Sequence, residues 1–136
     1  MKNLEYVYTG TADFEADRRF YLELISAELI WEFERFGARV AAFALTGTKP
    51  WIILADHEPA GYRRLIFAVD SLEKAKRELQ GKGLVFTSGV FGIPDGPCIN
   101  FQDASGNLYA IMEKQKPDEY LVDEYMRQQA EKAKDR

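Results

Sequence analysis

Hydrophobic and polar positions along the chain change their period several times, and each change marks an element. Leu4 to Thr9, rich in β-branched and aromatic side chains and ended by Gly10, reads as a strand running into a turn. Phe14, Phe20, Tyr21 and Leu24 then recur at helical spacing with Glu15, Asp17, Arg18 and Arg19 between them; Asp13 stands in the capping position, and the helix is expected to end near Ser26. Alternation returns over Glu28–Glu34, with Leu29, Trp31 and Phe33 on one face and Ile30, Glu32 and Glu34 on the other. Phe36 and Gly37 suit a turn. Arg39–Leu45 and Trp51–Ala55 read as two more strands around the loop Thr46–Pro50.

After a Pro- and Gly-containing linker, His57–Tyr62, the same order repeats. Arg63–Val69 reads as a strand, Ser71 as a cap, and Leu72–Lys82 as a helix closed by Gly83. Leu84–Ser88, Pro97–Asp103 and Leu108–Glu113 fit three further strands. Aligning Phe14 with Leu72 also sets Tyr21 on Leu79, so the two helices carry apolar residues at the same offsets. The pattern is an internal duplication of a βαβββ unit, with modules at about 3–56 and 62–114. Beyond residue 115 it changes: Pro117 and Asp118 look like a helix start, and Leu121, Val122, Tyr125 and Met126 form an apolar stripe before the polar tail Gln128–Arg136. Residues 116–136 therefore read as a C-terminal helical extension, either docked on its own domain or reserved for a dimer contact.

Length and composition support one α+β domain over residues 1–115. The 136 residues are 46% hydrophobic and 29% charged, enough for one packed core and too few for two. A net charge of −4 with no basic cluster makes nucleic acid an unsuitable partner. No run approaches the roughly 20 apolar residues of a membrane span, and Met1–Gly10 lacks the features of a secretory signal. The one cysteine, Cys98, has no internal partner and is expected to be a small buried hydrophobe. Together these point to a cytoplasmic protein.

Three stretches carry a resemblance. Asp13-Phe14-Glu15-Ala16-Asp17-Arg18-Arg19-Phe20-Tyr21 resembles the module-opening helix of the vicinal-oxygen-chelate superfamily, which includes glyoxalases, bleomycin-resistance proteins and extradiol dioxygenases. Phe67-Ala68-Val69-Asp70-Ser71-Leu72 is similar to its second-module strand entering a helix. Asp103-Ala104-Ser105-Gly106-Asn107-Leu108 resembles its turn before the last strand, with Ala104 in place of the usual proline. The resemblance implies two modules forming a curled mixed sheet around a cavity, helices on the outer face, and a two-fold homodimer. It also implies where a catalytic metal would be held: at Tyr6, Arg64 and Ala110, where metal-dependent relatives carry two histidines and a glutamate. None of the three is a suitable donor, and the single histidine of the chain forbids a two-histidine site within it. No metal and no cofactor are therefore expected.

Strand parity nominates Tyr6, Tyr8, Glu32, Glu34, Arg39, Arg64, Thr87, Asn100 and Gln102 to face the cavity, with Phe43 and Trp51 as further aromatic candidates. Arg64 offers either a bidentate clamp for an anionic group or an internal ion pair with Glu32 or Glu34. Glu32 and Glu34, two residues apart on one face, offer acid–base chemistry or a plain solvated face. His57, between Asp56 and Glu58, reads as a surface histidine. The expected function is metal-independent binding of a small organic molecule, drug-like or aromatic. The alternatives are a lyase or dioxygenase-type enzyme working through non-standard residues, and a module whose cavity has filled.

Overall fold

A computed structural model describes residues 1–35 and 37–134. Eight strands run in chain order: β1 (Asn3–Gly10), β2 (Glu28–Arg35), β3 (Ala38–Ala44), β4 (Trp51–Ala55), β5 (Arg63–Val69), β6 (Phe91–Ile93), β7 (Gly96–Gln102) and β8 (Leu108–Glu113). They form one curled sheet in the spatial order β2-β3-β4-β1-β5-β8-β7-β6. The order is the duplication made visible: each module places its first strand innermost, parallel to its own last strand, and β1 meets β5 antiparallel at the centre. The expected α+β architecture of two βαβββ modules is the one observed.

Local chemistry explains why the helices start and stop where they do. α1 (Phe14–Arg19) opens where Asp13 Oδ1 accepts from the Ala16 amide at 3.1 Å, which satisfies an otherwise orphaned N–H. It continues as a π-helical turn, Phe20–Leu24, and ends at Ser26, whose φ of 55° is left-handed. α2 (Leu72–Gly81) is capped in the same way by Ser71, which accepts from the Lys74 amide at 3.2 Å, and it closes at Gly83 with φ 98°. Both helices cover the outer face of the sheet. α1 buries Phe14 with Ala41, Phe43 and Leu54, and Tyr21 stacks on Phe43 at 4.9 Å; α2 buries Leu72 with Val69, Ile99 and Ile111.

The linker between the modules crosses directly over Gly10. A Cβ there would lie 2.0 Å from the Pro59 carbonyl oxygen, so only glycine lets the two segments meet. The third helix, α3 (Glu119–Lys134), lies on the opposite side of the sheet, where Leu121, Val122 and Tyr125 pack on the concave face and Met126 points to solvent. Of the two roles open to this helix, the structure shows docking on its own chain.

Two expectations need correction. Leu84–Ser88 is not a strand; β6 lies further on, at Phe91–Ile93. The segment runs beside β7, but the Asn100 amide bonds to the Ser88 side chain rather than to a carbonyl, so no regular ladder forms there. Residues 128–134 continue α3 instead of forming a tail. The turn expected at Phe36–Gly37 falls partly outside the described residues at Phe36, as does the chain end at Asp135 and Arg136; Gly37 itself has the left-handed φ of 76° that a turn needs.

Candidate functional site

Side chains of one parity line up across the concave face. One row runs Trp51, Tyr6, Ile66, Ala110, Asn100, and the next runs Ile53, Tyr8, Arg64, Leu108, Gln102. At the β2 edge a bulge between Leu29 and Trp31 adjusts the register, and Trp31 and Phe33 turn inward with only 6% and 7% exposure. With Val40, Ile93 and Pro94 they line a partly open cavity of about 200 Å³, covered on one side by Leu121 of α3. Its wall is almost wholly apolar and aromatic. Two charged residues reach it: Arg35, whose guanidinium lies 4.6 Å over the Phe33 ring and pairs with Glu124 of α3, and Asp95 in the β6–β7 turn.

Polar groups around this void are mostly engaged. The Tyr6 hydroxyl donates to Asp95 Oδ2 at 2.6 Å, and burial together with the adjacent carboxylate raises the phenol far above its ordinary pKa. Tyr8 Oη and His57 Nε2 share a hydrogen bond of 2.8 Å at the rim, where burial and then the charge of Glu58 push the Tyr8 phenol up as well. Neither phenol ionises near neutral pH. The Trp31 Nε1 donor is buried and has no partner among the described residues. Beneath Tyr6, the buried Glu5 carboxylate takes contacts of 2.8 Å each from Lys49 Nζ, Lys114 Nζ and Asn3 Nδ2. The same two lysines hold Asp118, the residue just before α3, and so pin the start of that helix over the cavity.

No family model matches the chain, and no curated protein matches it. Solved structures do. Methylmalonyl-CoA epimerase from Mycobacterium tuberculosis superposes with a TM-score of 0.69 at 19% identity, over 84% of this chain and 88% of that one. A hypothetical protein from Bacillus halodurans gives 0.72 at 17% identity, over 85% and 96%. A variant of the Streptomyces coelicolor epimerase, in complex with 2-nitronate-propionyl-CoA, gives 0.69 at 12% identity, over 85% and 99%. The chain has the vicinal-oxygen-chelate fold. At these identities the likeness is one of architecture.

The three positions that the sequence resemblance assigned to a metal triad hold residues that do not suit an ion. Tyr6 has its hydroxyl on Asp95, Arg64 carries a permanent positive charge, and Ala110 is fully buried without a donor. Among the described residues no cluster of three or more His, Cys, Asp or Glu side chains is arranged to hold a metal ion.

Of the nominated residues, Tyr6 and Tyr8 line the cavity. Glu32 and Arg39 do not: they lie on the outer face, where Arg18 of α1 makes paired hydrogen bonds of 2.9 and 3.1 Å to Glu32 and Arg39 sits 4.3 Å over the Phe14 ring. Glu34 is exposed beside Arg39 on that same face. The reason is energetic: the strand has one apolar and one acidic face, the concave interior takes the apolar one, and α1 supplies the arginine that the acidic one needs. Phe43 is likewise outer, under α1.

Arg64 forms neither of its expected ion pairs. Its Nε donates to the Tyr62 hydroxyl at 2.9 Å and its Nη1 to the Tyr109 carbonyl at 2.7 Å, away from Glu32 and Glu34. Asn100 shares the concave parity, with a buried Oδ1 that lacks a partner among the described residues, but it is not part of the cavity wall. Gln102 and Thr87 are exposed. Trp51 packs beside the Tyr6 ring, 6.4 Å away and under Lys49, rather than on the void. Parity alone missed Asp95, because it sits in a turn, and Leu121, because nothing in a stripe says which surface it will meet.

Proposed function

We propose that the protein is a metal-independent binder of a small, mostly apolar molecule built around a single aromatic ring. The observation that carries this reading is the void of about 200 Å³ walled by Tyr6, Tyr8, Trp31 and Phe33 and roofed by Leu121. Its size argues against a drug-sized guest, which needs roughly 300–1,000 Å³, and suits a guest of one ring. Burying about 150 Å² of ring surface at roughly 25 cal/mol/Å² gives about 4 kcal/mol, millimolar affinity before any polar contact is added. An enzymatic reading rests on the Tyr6–Asp95 pair, in which the phenol keeps its proton at neutral pH and so does not serve as a base. Cytoplasmic location and a two-fold homodimer covering the outer strand edges fit the same reading, the first supported by the lone buried Cys98 and the second by β2 and β6 standing at the two ends of the sheet.

The test uses Trp31 as a reporter. In a Trp51→Phe background it is the one remaining tryptophan of the two. Toluene or phenol should change its emission saturably, the change should survive exhaustive chelation, and Ile53→Phe, which fills the void, should abolish it. Absence of any saturable change in the unfilled protein would remove the proposal; sensitivity to chelation would remove its metal independence.

A further inference from the structure

Asp95 is a polar feature of the cavity wall that the apolar reading does not use. It is only 5% exposed and lines the void. The backbone places it firmly: its carbonyl accepts from the Gln115 amide at 2.7 Å and the Lys116 amide at 3.2 Å. The next residue, Gly96, packs so closely on the following segment that a Cβ would stand 1.8 Å from the Glu113 carbonyl oxygen. One carboxylate oxygen takes the Tyr6 hydroxyl, and among the described residues no lysine, arginine or histidine lies within ion-pair distance of Asp95. A buried carboxylate with one neutral donor is a costly arrangement, and a cation brought to it recovers that cost.

The other charges around the void leave this demand unmet. Arg35 already pairs with Glu124, and Lys49, behind the Tyr6 ring at 4.7 Å from its centre, is held by Glu5 and Asp118. What lines the interior is therefore one acid without a cationic partner among the described residues, set beside aromatic side chains, surroundings that favour an ammonium group by charge-assisted hydrogen bonding and by cation–π attraction.

We infer that the cavity selects a protonated amine joined to a small aromatic ring, with the ammonium on Asp95 and the ring among Tyr8, Trp31 and Phe33. The inference rests on the cavity reading above and adds the charge of the guest. A matched series separates the two: benzylamine, benzyl alcohol and benzoate, titrated against the full chain at pH 7 by ligand-observed NMR. Benzylamine should bind at least about tenfold more tightly than benzyl alcohol, the range expected for one charged hydrogen bond, and benzoate most weakly. In Asp95→Asn the preference should collapse, with the amine and the alcohol coming within about twofold of each other. Tyr6→Phe, which leaves the carboxylate in place, should retain the amine preference and serves as a second variant if Asp95→Asn does not fold. Equal or tighter binding of benzyl alcohol in the wild type would overturn the inference and leave the cavity reading standing. Failure of all three to bind would overturn both.

Discussion

Glu5 is the acid whose loss should reveal how the cavity is held together. It is only 3% exposed, and burial by itself works to raise its pKa. The contacts from Lys114, Lys49 and Asn3 outweigh that effect and hold the carboxyl at about 2, below its ordinary 4.5. At about 1.4 kcal/mol per unit, this difference is on the order of 3 kcal/mol of stability. Because the folded-state value is depressed, the contribution is complete above about pH 4.5 and disappears as the pH falls toward about 2. Glu5→Gln should therefore lower the unfolding free energy by about 3 kcal/mol at pH 7, measured by urea denaturation. The gap to wild type should narrow steadily below pH 4.5 and close near pH 2, with other acid-sensitive groups cancelling between the two proteins. A gap that stays constant from pH 7 to pH 2, or one well under 1 kcal/mol at pH 7, would refute the placement of this charge. The same lysines hold Asp118, so the variant should also loosen the start of α3.

Leu121→Ala removes the roof of the void, and its cost should be about 2–3 kcal/mol, at the low end for a buried leucine because the site already borders empty space. Amide hydrogen exchange should quicken across Glu119–Lys134 and stay unchanged in β1 and β5; a uniform change over the whole chain would mean that α3 is not a separately docked element. Glu32→Gln should cost about 1 kcal/mol through its contact with Arg18 and leave ring binding untouched, since the side chain is on the outer face; a shifted affinity in the Trp31 titration would put it back at the cavity.

The periodicity of the chain was enough to recover the duplication, seven of the eight strands to within a residue or two, and both outer helices with their caps. These features are set by neighbours a few positions apart: Asp13 and Ser71 reach the amides of their own first turns, and Gly83 supplies its own left-handed φ. The strand at Phe91–Ile93 was misplaced because Leu84–Ser88 carries the apolar pattern while Ser88 breaks its ladder with a side-chain bond, and this is visible only once β7 lies beside it.

The site was legible only in part, and for a related reason. Alternation along β2 separates Trp31 and Phe33 from Glu32 and Glu34, but a period of two carries no sign; which set turns inward depends on the bulge after Leu29 and on Arg18 waiting outside. Tyr6 and Tyr8 were found because the first strand has tyrosines on one face and aliphatic or hydroxyl residues on the other. Asp95 sits in a turn, remote by 89 positions from the hydroxyl it accepts, and its burial is created by strands from both modules. Leu121 belongs to a stripe that any apolar surface would satisfy. Sequence by itself determined the elements and their order, since each is governed by local spacing. Tertiary structure decided which faces look inward, what covers the cavity and where Asp95 stands, because each of those depends on groups that only folding brings together.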